Sequence, residues 1–204
     1  MVGPMSALKL NPSEMHGPWA EGFTLDEHIS SSEFLGYDAS GRAMFETTRT
    51  EIGEAVYQLK YASRDEAQAR ALAETAAGFI TERWRALIDV VVPVPSSRQR
   101  SVQPVPLVAK LVAERLGVTF VPDAVTRTKQ TPQLKDLPID QRSAVLEDAH
   151  TVDTLKIAGR RVLLLDDLYQ SGATMSTVAA ILTTKGGAHQ VYAVALTRTK
   201  KRSQ

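Results

Sequence analysis

The stretch RRVLLLDDLYQSGATM, residues 160–175, decides how this chain is read. An apolar run from Val162 to Leu165 ends on two adjacent acids, Asp166 and Asp167, and a short polar turn follows before ATMSTVAAILTTK. A short apolar run bounded by charge fits a buried strand, while Met175, Val178, Ile181 and Leu182 recur at helical spacing. HQVYAVALT, residues 189–197, reads as the next strand. The three pieces form a β-α-β unit whose strands should run parallel, with Gly186 and Gly187 supplying a left-handed exit from the helix.

Acids at the end of such a strand sit at the edge where ligands bind in open α/β sheets. The helix must begin close to Gly172 or Ala173, and a helix start offers unpaired N–H groups and partial positive charge to an anion. Ser171 and Thr174 add hydroxyls, and Gly172 lets the backbone approach closely. The turn can therefore hold a phosphate. Ionised carboxylates only accept hydrogen bonds, so they suit vicinal ribose hydroxyls, and a sugar phosphate reconciles the acid pair with the anion cradle. Magnesium bridging the sugar and a pyrophosphate would neutralise further charge. A plainer alternative has one Asp capping the helix and the other pairing with Arg160 or Arg161.

Working outward, LIDVVVPVP (87–95) reads as a buried strand, PVPLVAKLVAERLG (104–117) as a helix, and VTFV as another strand. Pro104 suits a first helical turn, where its missing N–H is not needed. Residues 64–88 read as an Ala-rich helix, and EAVYQLKY before them as a strand, from the alternation of Val56, Tyr57, Leu59 and Tyr61. Strand and helix thus alternate from about residue 53. That pattern predicts an α/β fold, a central mostly parallel sheet flanked by helices. SEFLGYDASGRAMFETTRT (32–50) reads as a hairpin in a small N-terminal hood. The expected division is residues 1–52 for this extension and 53–204 for the core. Residues 126–148 lack clear periodicity, and long loops in compact domains often serve as lids.

With 204 residues, 43% hydrophobic and 23% charged, the composition is that of a globular chain with one main core. No apolar run approaches the roughly 20 residues needed to span a bilayer, and MVGPMSALKLNP lacks the apolar centre of a signal peptide. The expected location is the cytoplasm. The absence of cysteine rules out disulfides, thiolate nucleophiles and Cys-ligated zinc. His16, His28, His150 and His189 share no ligand spacing. A net charge of +1 gives no global case for nucleic acid; RTKKR (198–202) is either a solvated tail or a basic contact.

VLLLDDLYQSGAT, residues 162–174, resembles the phosphoribosyl pyrophosphate signature of type I phosphoribosyltransferases. DVVVPVPSSRQR, RTKQTPQLKDLPIDQR and YQLKY are similar to segments of the ComF-like branch of that superfamily, extending the resemblance over residues 57–198. It implies that Asp166 and Asp167 contact ribose hydroxyls and that Gln170, Ser171, Gly172, Ala173 and Thr174 bind the 5′-phosphate. It also places Ser96, Ser97, Arg98 and Arg100 in a pyrophosphate loop, where arginine's planar fork suits phosphate oxygens. Arg127, Lys129 and Gln130 would close over departing pyrophosphate. Asp166, Asp167, Arg127 and Lys129 are thus the expected catalytic set, and Mg²⁺ is expected through the ligand rather than through protein side chains.

The implied activity is transfer of ribose 5-phosphate from phosphoribosyl pyrophosphate to a nitrogenous acceptor. The alternatives are a non-catalytic sensor of phosphoribosyl pyrophosphate or a ribose 5-phosphate nucleotide, and an accessory protein in DNA uptake. A homodimer stays open. Two departures stand out: the cysteine cluster common at the N-terminus of ComF-like proteins is missing, and Gln170 stands where some purine-using members carry Asp. Trp19, Phe23, Phe34, Tyr37 and Phe45 either stack on an acceptor or form the hood's own core.

Overall fold

The computed structural model describes residues 7–61, 66–84, 86–96, 103–128 and 149–199. At the centre of a six-stranded sheet lies β9, Arg161–Tyr169, flanked by β10, Gln190–Arg198, and β5, Val90–Pro93, both parallel to it. The sheet continues through β6, Thr119–Phe120, on one side. On the other side lie β2, Glu21–Glu27, and β1, Ser13–Glu14. All pairings are parallel except β1 with β2. The expected α/β architecture is the observed one.

The period of two along β9 divides the core. Leu163 and Leu165 pack with α1, Glu51–Tyr61, α2, Glu66–Trp84, and α3, Pro104–Leu116, while Val162 and Leu164 pack with α5, Ala173–Thr184, on the other face. Alternate strand residues point to opposite faces, so a strand buried on both sides reads as an unbroken apolar run. Pro104 opens α3 and Gly117 closes it in the left-handed region, as expected. Of the two glycines after α5, Gly187 takes a positive φ and Gly186 does not. A short helix α4, Thr154–Ile157, and an antiparallel ribbon of β7, Val125–Arg127, with β8, His150–Val152, complete the described core.

One expected element is different in kind. EAVYQLKY is not a strand but most of α1. Ile52, Ala55, Val56 and Leu59 recur every three to four residues and are almost wholly buried, whereas Tyr61, which the alternation needs inside, is exposed. The helix start is also specified locally, because the Thr50 hydroxyl accepts the Gly53 N–H at 3.0 Å and Glu51 and Glu54 occupy the positive first turn. A Cβ on Gly53 would collide with the His28 carbonyl oxygen, so glycine lets α1 lie directly against the end of β2.

The hairpin expected over residues 32–50 is present as β3, Ile29–Tyr37, and β4, Ala43–Arg49, with Phe34 opposite Phe45. Asp38 organises its turn by accepting from the backbone N–H groups of Ser40 and Arg42. The aromatics expected to act together are divided. Phe23 belongs to the main core beside Phe79 and Trp84, whereas Phe34, Tyr37 and Phe45 touch one another on an exposed surface.

Candidate functional site

A cleft of about 310 Å³ opens at the C-terminal ends of the strands, lined by residues 94–96, 103–105 and 166–175 together with Lys60. It exists because β9 ends in charge. The period of two turns Asp167 toward the face of α1, and Asp166 toward that of α5. The Asp167 N–H donates to Asp166 Oδ1 at 2.8 Å. Burial, and then the neighbouring Asp167 charge, push the Asp166 carboxyl up to about 8. Asp167 instead meets a cation, with Lys60 Nζ 2.8 Å from its Oδ2.

Beyond the acids the chain turns sharply. Gly172 has φ +74°, a left-handed backbone that favours glycine, and a Cβ there would fall 2.5 Å from the Tyr169 hydroxyl, so the tyrosine ring would also have to shift. Gly172 is also the N-cap of α5 and has no side chain to cap it, and the neighbouring Ser171 hydroxyl accepts the Ala173 N–H only at a long 3.4 Å. A capping acid would quench that end of the helix; an uncapped start aimed into a cleft is receptive to an anion. Neither Asp166 nor Asp167 caps α5, and Arg161 pairs with Asp89 at 2.7 Å, so the plainer reading of the acid pair is not realised through that arginine.

Of the residues expected in the site, Asp166, Asp167, Gln170, Ser171, Gly172, Ala173, Thr174 and Ser96 come together around the cleft. Arg127 lies on β7 opposite His150 and is not among the described residues that line it. Ser97, Arg98, Arg100, Lys129 and Gln130 lie outside the described residues, as do most of the proposed lid and of the basic tail. Among the described residues no group of three or more His, Asp or Glu side chains is placed to hold a metal.

Sequence reasoning missed Lys60, which the strand assignment placed on the wrong kind of element. The signal was the helical spacing of Ile52, Val56 and Leu59. It also missed the support behind Asp167. The buried Thr197 hydroxyl donates to the Asp167 carbonyl at 2.8 Å and lies 3.3 Å from His28 Nδ1. A hydroxyl has one proton, so once it is committed to the carbonyl the imidazole must donate through Nδ1. Burial and the nearby Lys60 and Arg49 charges hold the His28 pKa below its ordinary value, consistent with a neutral ring.

Residues 64–204 match the phosphoribosyl transferase domain family. No curated protein sequence matches the chain significantly. Similar solved structures include adenine phosphoribosyltransferase from Saccharomyces cerevisiae, 15% identical over 81% of this chain and 83% of that one, TM-score 0.45. Glutamine phosphoribosylpyrophosphate amidotransferase from B. subtilis is 16% identical over 78% of this chain and 34% of its own, TM-score 0.48. A hypoxanthine phosphoribosyltransferase from Staphylococcus aureus is 11% identical over 69% and 70%, TM-score 0.42. The family match spans more than half of the sequence, including the whole strand, turn and helix that build the cleft, and the chain therefore belongs to the phosphoribosyl transferase domain family.

Proposed function

We propose that the protein binds phosphoribosyl pyrophosphate and transfers its ribose 5-phosphate to a nitrogenous acceptor. The observation that carries this reading is one cleft joining a carboxylate pair to an uncapped helix N-terminus. The turn at residues 171–174 would hold the 5′-phosphate, and Asp166 and Asp167 the ribose hydroxyls. In the transfer the bond from C1 to the pyrophosphate oxygen breaks with its electron pair, a bond from the acceptor nitrogen to C1 forms, and the acceptor's proton passes to solvent. Gln170 lacks a carboxylate to take that proton, so positioning and charge stabilisation would supply the catalysis.

The donor set suits magnesium held by the substrate: the cleft presents two adjacent carboxylates without a third acidic or imidazole side chain among the described residues that line it. When bound to the diphosphate, the ion would neutralise charge on the leaving group. Ser96 lines the cleft at the end of β5, which supports a pyrophosphate role for the loop it begins, with Ser97, Arg98 and Arg100. Arg127 and Lys129 would act when residues 126–148 close over pyrophosphate. For residues 1–52 as a hood, the support is the hairpin's origin. β3 begins just after β2 ends, level with Arg198 and Tyr169 at the edge that carries the cleft. The ComF-like placement rests on the four sequence segments.

Acceptor-dependent release of pyrophosphate, measured across a panel of bases and amines, tests the activity. Release with at least one acceptor is expected. Binding of phosphoribosyl pyrophosphate without release with any acceptor would instead favour the sensing role.

A further inference from the structure

Lys60 projects from the last turn of α1, an element outside the residues matched to the family. Its side chain is 12% exposed and that of Asp167 17%, and both line the cleft. Among the described lining residues the charged groups are Asp166, Asp167 and this one ammonium. The Asp167 carboxylate repels a polyanion in this half-buried cleft, so the cation beside it bears directly on which ligands enter. Lys60 does not arrive there by chance of a flexible stem. The buried side chains of Ile52, Val56 and Leu59 fix α1 against the core, and the capped start at Thr50 fixes its register.

We infer that Lys60 is a substrate-binding residue: its ammonium holds Asp167 in the free protein and moves onto the diphosphate when phosphoribosyl pyrophosphate enters. The inference rests on the function proposed above. An ammonium has three donors, and Asp167 takes at most part of that capacity. The diphosphate of this α-anomer stands on the same ring face as the 2- and 3-hydroxyls. A cation touching the carboxylate that grips those hydroxyls is therefore on the diphosphate side of the sugar, away from the 5′-phosphate held by the turn. Releasing Lys60 also frees Asp167 Oδ2 to accept a hydroxyl. The ammonium keeps an anionic partner throughout, and the Asp167 carboxylate, on losing its cation, accepts the sugar hydroxyls in its place.

The test compares wild type with Lys60→Met and Lys60→Arg by calorimetry with three ligands and magnesium: phosphoribosyl pyrophosphate, inorganic pyrophosphate and ribose 5-phosphate. Loss of a charge-assisted contact should weaken the first two in Lys60→Met by about tenfold to hundredfold. Ribose 5-phosphate should change little, and Lys60→Arg should keep most of the affinity. Equal loss for all three ligands would show that Lys60 only positions Asp167 and would overturn the inference, as would no loss at all. Wild type that binds none of the ligands would instead overturn the cleft reading itself, and this inference with it. If Lys60→Met does not fold, carbon-13 spectra of labelled lysine in wild type decide: the Lys60 Cε signal should shift with pyrophosphate and not with ribose 5-phosphate, and the reverse pattern or no shift would overturn the inference.

Discussion

Asp166 and Asp167 are neighbours in sequence with opposite electrostatic surroundings, because consecutive strand residues face opposite sides of the sheet. Asp167 meets Lys60, while Asp166 is buried against its neighbour's charge and pushed up to about 8. Between the unfolded carboxyl value of 3.8 and about 8, folded Asp166 keeps a proton that the unfolded chain has released, so its contribution to stability falls as pH rises through that window. Asp166→Asn should therefore raise the Tm more at pH 8 than at pH 5, by roughly 2–4 °C for each kcal/mol recovered. A larger gain at pH 5 in scanning calorimetry would contradict this. Asp89 behaves oppositely: hydrogen bonds from Arg161 hold it down at about 2, so its contribution is present above 3.8 and is lost as pH falls toward 2. In Asp89→Asn that acid-side slope should flatten in pH-dependent urea unfolding.

Gly172 is the other residue on which the site turns. Alanine there meets both the left-handed backbone and the Tyr169 ring. Gly172→Ala should lower stability by about 1–2 kcal/mol and weaken ribose 5-phosphate binding. Unchanged affinity in calorimetry would remove the turn from the phosphate site.

At the scale of elements, β9, its turn and α5 were legible because every cue to them is local: an apolar run, a charge boundary, a glycine at the bend and helical spacing beyond it. Helix α1 was misread because Val56, Tyr57, Leu59 and Tyr61 satisfy a strand's alternation as well as a helix's repeat. What decided between them was packing. Ile52 and Ala55 join Val56 and Leu59 in one buried face, while Tyr61 stays outside. The role of α1 in carrying Lys60 makes its stability a functional matter. Leu59→Ala, in a wholly buried site, should destabilise by about 2–5 kcal/mol, and loss of the cap in Thr50→Ala by about 1 kcal/mol. Urea unfolding checks both, and equal small effects would contradict the core placement of α1.

For the whole molecule, the alternation of strands and helices was enough to foresee a mostly parallel sheet, but not its breadth. β2 joins the sheet beside β10 through EGFTLDE, a segment whose burial depends on a strand about 170 residues away. No local pattern reports such a pairing. Its consequence reaches the cleft, since β2 brings His28 to Thr197 and so to the backbone of Asp167. The same edge of the sheet launches the β3–β4 hairpin.

The central claim is that the acid pair and the uncapped helix start form one site for a ribose 5-phosphate carrying a diphosphate. Calorimetric titration of wild type and the Asp166→Asn, Asp167→Asn double variant with phosphoribosyl pyrophosphate and magnesium tests it most directly. Binding by wild type, lost or weakened at least about tenfold in a double variant that remains folded, is the result expected. Equal binding by both proteins, or none by wild type, would contradict it.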